Sequence, residues 1–365
     1  MIPDCTLVTA CFCMKNAHQG ARSIEETIDS TNMLMAIPAY LIIYGDKHTI
    51  PLLRSRREQY GLSNITVFHE LEAHKLWTFQ YIDKVKENRE IYFPTKDERT
   101  SPETHLITCN KFTFVLNTID SNPFSTTKFG WVDSFLGKDN IKICENYEPN
   151  VLPWILSNIT DKFHIQVLGC CDKKYILEEN LNEYYKTYQW IVCGGFFTCG
   201  GIIGKKILNR LNEIFVSTTI AGYGHGEEMF YLEVLDEFYE DIVRSYGDYG
   251  QIWDNFINLK KNYHYVYYFI LKKYIDFGYW REAYDCCMYI LNEIENHRIY
   301  IIPSVHINIL LDYLIVVYHY CPNKSKDLVE SINKICSQNE LLNREYQKDK
   351  WRVEWYLWSI NDVFG

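Results

Sequence analysis

An α/β domain followed by an all-helical module is the fold class this 365-residue sequence predicts. Three observations carry the prediction. Short β-rich runs alternate with helical patterns through residues 1–250, helix-start signals stand between those runs, and beyond about residue 250 long aromatic-rich helical patterns replace the strands. At roughly 100 to 200 residues per domain the length allows two or three domains, and the division is placed at 1–250 and 251–365.

The strand-length runs are 5–12, 40–44, 64–68, 129–134 and 190–199. Between them, Ser23-Ile-Glu-Glu26 is a capping box opening a helix towards Ala36. Ser101-Pro102-Glu103 supplies an N-cap and an N1 proline for a helix reaching about Asp120. Glu227-Glu228 precedes a helix whose apolar positions Phe230, Val234, Leu235, Phe238 and Ile242 recur at helical spacing. This alternation argues parallel strands, whose ligands gather at the carboxyl ends. In 264–297, Tyr274, Gly278 and Ala283 take the spacing of a tetratricopeptide-like helix-turn-helix; 305–336 is a looser copy and 344–360 a closing helix. An ordinary helical bundle is the other reading of that module.

With 47% apolar and 16% aromatic residues, the composition is that of a packed globular chain. Net charge is −10, and residues 1–250 hold 24 Lys and Arg against 33 Asp and Glu. An acidic surface without a basic run is poor for phosphate backbones, so nucleic acid is set aside. The longest apolar stretches, 33–44 and 307–318, are 12 residues each and contain Pro38 and Asp312, whereas a membrane-spanning helix needs about 20. The start of the chain lacks a signal-peptide pattern and reads as a strand. Thirteen cysteines without a Cys-x-x-Cys pair then imply reduced, mostly buried thiols and a cytoplasmic location.

Four segments could carry chemistry. In Phe129-Gly-Trp-Val-Asp133, alternation puts Phe129, Trp131 and Asp133 on one face, where the carboxylate needs a cation or a loop hydrogen bond. On the helix after Ser101, Lys111 falls within the apolar face of Ile107, Phe112, Phe114, Val115 and Ile119, so it either snorkels or meets an anion. Gly194-Gly195 and Gly200-Gly201 flank a short apolar run where backbone can approach a ligand or turn tightly. In Gly222-Tyr-Gly-His225-Gly-Glu227-Glu228, the acids either complement the helix dipole or place a general base at a cleft rim, and His225 is a loop histidine or a metal ligand.

In this order the pieces resemble the HtrL/YibB-type family of glycosyltransferases with the GT-A fold, over roughly residues 5–255. The carriers are Thr6-Leu-Val-Thr9-Ala10-Cys-Phe12, Leu41-Ile-Ile-Tyr44-Gly-Asp46 with Arg54 and Arg57, and Asn110-Lys111-Phe112. They continue through Asn122-Pro123-Phe124, Phe129-Gly-Trp131-Val-Asp133, Gly194-Gly195-Phe196-Phe197, His225-Gly-Glu227-Glu228 and Tyr246-Gly-Asp-Tyr249.

The resemblance implies a GT-A-type nucleotide-diphospho-sugar transferase fold, a Rossmann-like mixed sheet ahead of the helices. It also implies transfer of a hexosyl or pentosyl group from a UDP- or GDP-sugar donor to a glycan, protein or small-molecule acceptor, inverting, with Glu227 or Glu228 as base. Thr9, Asp46 and Arg54 would lie around the nucleotide, with Lys111, Asp133 and a glycine-rich loop at Gly194 and Gly195 completing the donor site. Asp133 and His225 would hold a divalent cation, Mn²⁺ or Mg²⁺. Only one aspartate of the usual Asp-x-Asp pair is present, since Ser134 and Phe135 follow Asp133. The competing reading is therefore a catalytically silent domain in a helical-repeat scaffold or adaptor. In either case the C-terminal helices would serve a protein partner or self-association.

Overall fold

In the computed structural model, which describes residues 2–13, 23–92, 100–135, 151–224, 226–247, 264–297, 299 and 301–364, one seven-stranded sheet organises the first part of the chain. Its strands are β1 (Cys5–Cys11), β2 (Tyr40–Gly45), β3 (Thr66–Glu70), β4 (Lys128–Val132), β5 (Phe163–Val167), β6 (Val192–Gly200) and β7 (Ile242–Tyr246). They lie in the order β3-β2-β1-β4-β6-β5-β7. β1 pairs in parallel with β2 and β4, and β2 with β3. β6 runs antiparallel to both β4 and β5, while β5 and β7 are parallel. The sheet is thus mixed: the parallel pairing that the alternation argues holds for four of its six strand pairs, β6 makes the two antiparallel ones, and the whole agrees with the fold class implied by the resemblance.

Ten helices accompany this sheet among the described residues: α1 (Ile24–Asp29), α2 (Asn32–Met35), α3 (Ile50–Gln59), α4 (Ile82–Ile91), α5 (Pro102–Cys109), α6 (Lys111–Ser121), α7 (Val151–Asn158), α8 (Leu181–Tyr185), α9 (Gly201–Ile220) and α10 (Tyr231–Glu237). The Ser23 hydroxyl accepts from the Glu26 amide and the Glu26 carboxylate accepts from the Ser23 amide, so the capping box starts α1. Ser101 likewise accepts from the Thr104 amide ahead of Pro102. The single helix expected from there to Asp120 is divided into α5 and α6 at Asn110. Asn122, in the left-handed region at φ 35°, ends α6.

Packing explains why α6 is the central helix of the site. Phe112, Phe114 and Val115 join Val8, Trp131 and Phe197 from the sheet and Ile207, Leu211 and Phe215 from α9 in one buried cluster. Phe114 stacks on Tyr44 at 4.2 Å and on Trp131 at 6.3 Å, which fixes the height of α6 over β4. Beyond α10 the chain departs from expectation. The helix stops at Glu237, and Ile242, which the periodicity assigns to it, opens β7.

The chain divides into two units, Met1–Ile257 and Asn258–Gly365; the boundary expected at 250 lies outside the described residues. The second unit contains α11 (His264–Asp276), α12 (Trp280–Glu295), α13 (Pro303–Tyr320), α14 (Ser325–Ser337) and α15 (Glu340–Phe364). Gly278, at φ +71°, makes the turn between α11 and α12. Consecutive helices pack together and α13 also packs on α15, around Ile307, Leu310, Leu314, Ile332 and Tyr346. No helix among the described residues is long and apolar enough to cross a membrane.

Candidate active site

A cavity of about 280 Å³ opens where β1 and β4 end side by side. Ala10, Cys11 and Phe12 from the end of β1 and Asp133, Ser134 and Phe135 beyond β4 form one side; Thr104, Ile107 and Thr108 of α5 form the other. Lys111 and Trp131 are also on its wall. The carboxyl end of adjacent parallel strands is the crevice that open α/β sheets offer to ligands.

Lys111 is the first residue of α6 and only 1% exposed. Its ammonium donates to Glu227 Oε1 at 2.6 Å and to the Gly194 carbonyl at 3.0 Å, and lies 4.0 Å from Asp133 Oδ1. Burial alone would lower the Lys111 pKa. Attraction to Glu227, then to Asp133, outweighs it and carries the group above its ordinary value.

Asp133 stands one residue past β4, its amide donating to the Gly195 carbonyl at 2.8 Å. The Trp131 indole N–H donates to its Oδ1 at 2.6 Å, using the same-face relation that strand alternation gives residues two apart. Although 46% of the Asp133 side chain is accessible, it lies inside a concavity. Enclosure raises its pKa, opposed by Lys111 and the indole hydrogen bond.

The two glutamates are buried, at 7% and 6% exposure, and neither is among the described residues lining the cavity. A rim position, one of the readings the sequence allows, is therefore corrected: Glu227 lies against Lys111, and Glu228 accepts from the Tyr188 hydroxyl and the Gly194 amide. Glu228 is pushed up to about 8, first by burial and then by the neighbouring Glu227, against the pull of the Tyr188 hydrogen bond and Lys111.

Gly194 and Gly195 sit inside β6 and not in a loop, which corrects that expectation. A Cβ on Gly194 would come within 2.8 Å of Glu227 Oε1 and 3.4 Å of Lys111 Nζ. Glycine here lets the ion pair lie directly on the strand. Three contributors carry no strong local signal: Tyr188, and Asn88 and Arg89 on α4. Asn88 donates to the Thr219 and Tyr223 carbonyls at 2.8 and 2.6 Å, and Arg89 to the Gly224 carbonyl at 3.3 Å. They tie down the segment leading into the glutamates across more than 130 residues of chain, a pairing no sequence spacing displays.

A profile of the HtrL_YibB family, described as bacterial proteins of unknown function, matches residues 3–220. The chain belongs to the HtrL/YibB family. Lys111, Asp133 and the Gly194-Gly195 pair of this HtrL/YibB protein fall inside the matched span, whereas Glu227 and Glu228 fall after it. Among solved structures, the chain is similar to the apo form of mouse xyloside xylosyltransferase 1, at 10% identity and a TM-score of 0.36, over 66% of this chain and 84% of that one. No curated protein sequence matches it.

Thr9, Asp46 and Arg54 are not brought to the cavity wall. Thr9 is fully buried in β1. The Asp46 carboxylate accepts from the amides of Cys13, His48 and Thr49 at 2.6, 2.8 and 3.0 Å, so it caps the turn into α3. Arg54 is exposed and stacks over the Phe68 ring at 4.4 Å. His225 lies outside the described residues.

The donor set tests poorly for a divalent cation. Asp133 offers one carboxylate whose Oδ1 already accepts from an indole, with an ammonium 4.0 Å away. Among the described residues no group of three or more His, Cys, Asp or Glu could hold a metal ion. Divalent cations of this kind ask for several oxygen ligands.

Proposed function

We propose that this protein transfers a sugar from a nucleotide-diphosphate donor to an acceptor hydroxyl, with the reacting part of the donor in the cavity beyond β1 and β4. Convergence supports the reading above all else. An ammonium from α6 and a carboxylate beyond β4 meet at one strand-end crevice, and a buried carboxylate pair backs the ammonium, although Lys111 and Glu227 are 116 residues apart in the chain. The cavity, about 280 Å³, is near the lower limit of ligand pockets. It would hold the sugar and its attached phosphate more readily than a whole donor.

Each group then has a distinct task. Departure of the diphosphate develops negative charge, which a preorganised ammonium in a dry site stabilises strongly, and Lys111 is that ammonium. Glu227 holds Lys111 in place. Asp133 accepts from a hydroxyl of the bound sugar. Glu228, whose pKa of about 8 suits proton exchange near neutrality, lies behind the cavity wall and takes the proton of the attacking acceptor hydroxyl through one water as bond formation proceeds. No step is assigned to a cation.

Incubating the purified protein with UDP- and GDP-sugars and mixed glycan, protein and small-molecule acceptors, while following nucleotide release and product mass, tests the reading. The wild type should release nucleotide with acceptor-dependent product. Glu228→Gln should retain donor-induced thermal stabilisation yet lose 10²-fold or more of the rate, the usual contribution of a general base. Thermal stabilisation by a donor without any turnover would instead support the silent scaffold.

A further inference from the structure

We propose that Tyr188 is a positioning residue for Glu228, holding its carboxyl in the orientation from which it exchanges a proton with the acceptor; this rests on the glycosyltransfer reading above. The Tyr188 hydroxyl donates to Glu228 Oε2. The Gly194 backbone also hydrogen-bonds to the same carboxyl. Two donors from different segments thus fix a side chain that has three rotatable bonds of its own.

The backbone beneath Tyr188 is shaped for it. Gly226, at φ +73°, would place a Cβ 2.2 Å from Tyr188 Cε2 and 2.7 Å from its hydroxyl oxygen. Only glycine both adopts that φ readily and leaves space for the ring. On the outer side Trp190, 58% exposed, packs edge-on against Tyr188 at 5.1 Å, so the phenol stands between the acid and the surface. Among the charged and titratable groups acting on Glu228 are Glu227, Lys111 and Tyr188, and Cys193 lies close enough to feel its charge.

The test follows the carbonyl stretch of the protonated carboxyl against pH, assigned to Glu228 by its loss in Glu228→Gln, beside the pH profile of nucleotide release. Tyr188→Phe keeps the ring and removes the donor to the ionised form. It should move the infrared midpoint and the kinetic inflection upward together, by about one pH unit. Replacing all tyrosines with 3-fluorotyrosine, a stronger donor, requires no altered fold and should move the midpoint downward. Unchanged midpoints in both preparations would overturn the assignment. Shifted midpoints without turnover of any donor would remove the glycosyltransferase reading and leave the positioning; turnover with unshifted midpoints would remove the positioning alone.

Discussion

The Lys111 ammonium faces the carboxyls of Glu227, Asp133 and Glu228, so ionising all three gathers like charges in a poorly solvated place. A proton retained on Glu228 relieves that repulsion. Its pKa of about 8 in the fold against 4.5 without it means the folded chain binds more protons than the unfolded chain between those values. The stabilisation is complete below about pH 4.5 and is lost as pH rises through about 8. Melting temperature should accordingly fall between about pH 5 and pH 8 more steeply in the wild type than in Glu228→Gln; parallel curves would contradict the buried proton. Lys111→Met should destabilise by about 3–5 kcal/mol, because it takes the ammonium away from the buried Glu227 carboxylate. Adding Glu227→Gln to that variant should restore more than about 1 kcal/mol in urea unfolding, whereas strict additivity would show that the two groups do not interact.

At the scale of elements, Phe215 of α9 meets Trp77 and Tyr81 edge-on at 5.5 Å each and is fully buried. Phe215→Ala should cost about 3–5 kcal/mol in chemical unfolding, and a loss below about 1 kcal/mol would mean that this cluster does not anchor α9. What could be read from the amino-acid order divides along a physical line. Caps such as Ser23 and Ser101 are local, so the starts of their helices were legible but not their ends: the run expected from Ser23 towards Ala36 stops at Asp29 and resumes as α2. Runs like 5–12 and 40–44, which bury both faces, were legible too. β5 alternates apolar and polar residues over only five positions, Phe163-His-Ile-Gln-Val167, yet is buried throughout; its burial depends on neighbours far along the chain. β7 was hidden by chance periodicity, because Ile242 continues the helical spacing of Phe230, Val234 and Phe238 across a turn. Lys111 showed itself as a cation on an apolar face and Asp133 as an acid at a strand end. Tyr188 showed nothing, since its relation to Glu228 spans 40 residues and exists only once the loop before β6 is in place.

For the molecule as a whole, family membership covers residues 3–220 and brings no activity with it, so the chemistry rests on the site. Among the described residues lining the cavity Asp133 is the one carboxylate, which leads to a further expectation: nucleotide release should persist in excess EDTA, and restoration only by added Mn²⁺ or Mg²⁺ would show that ligands outside the described residues complete a cation site. The most direct test of the central claim is a crystal soaked with the nucleotide sugar that gives the largest thermal shift. The account predicts diphosphate density at the ends of β1 and β4, within hydrogen-bonding distance of Lys111 Nζ, with a sugar hydroxyl on Asp133. Donor density elsewhere on the chain, with the Lys111–Glu227 pair undisturbed and the cavity holding only solvent, would contradict it.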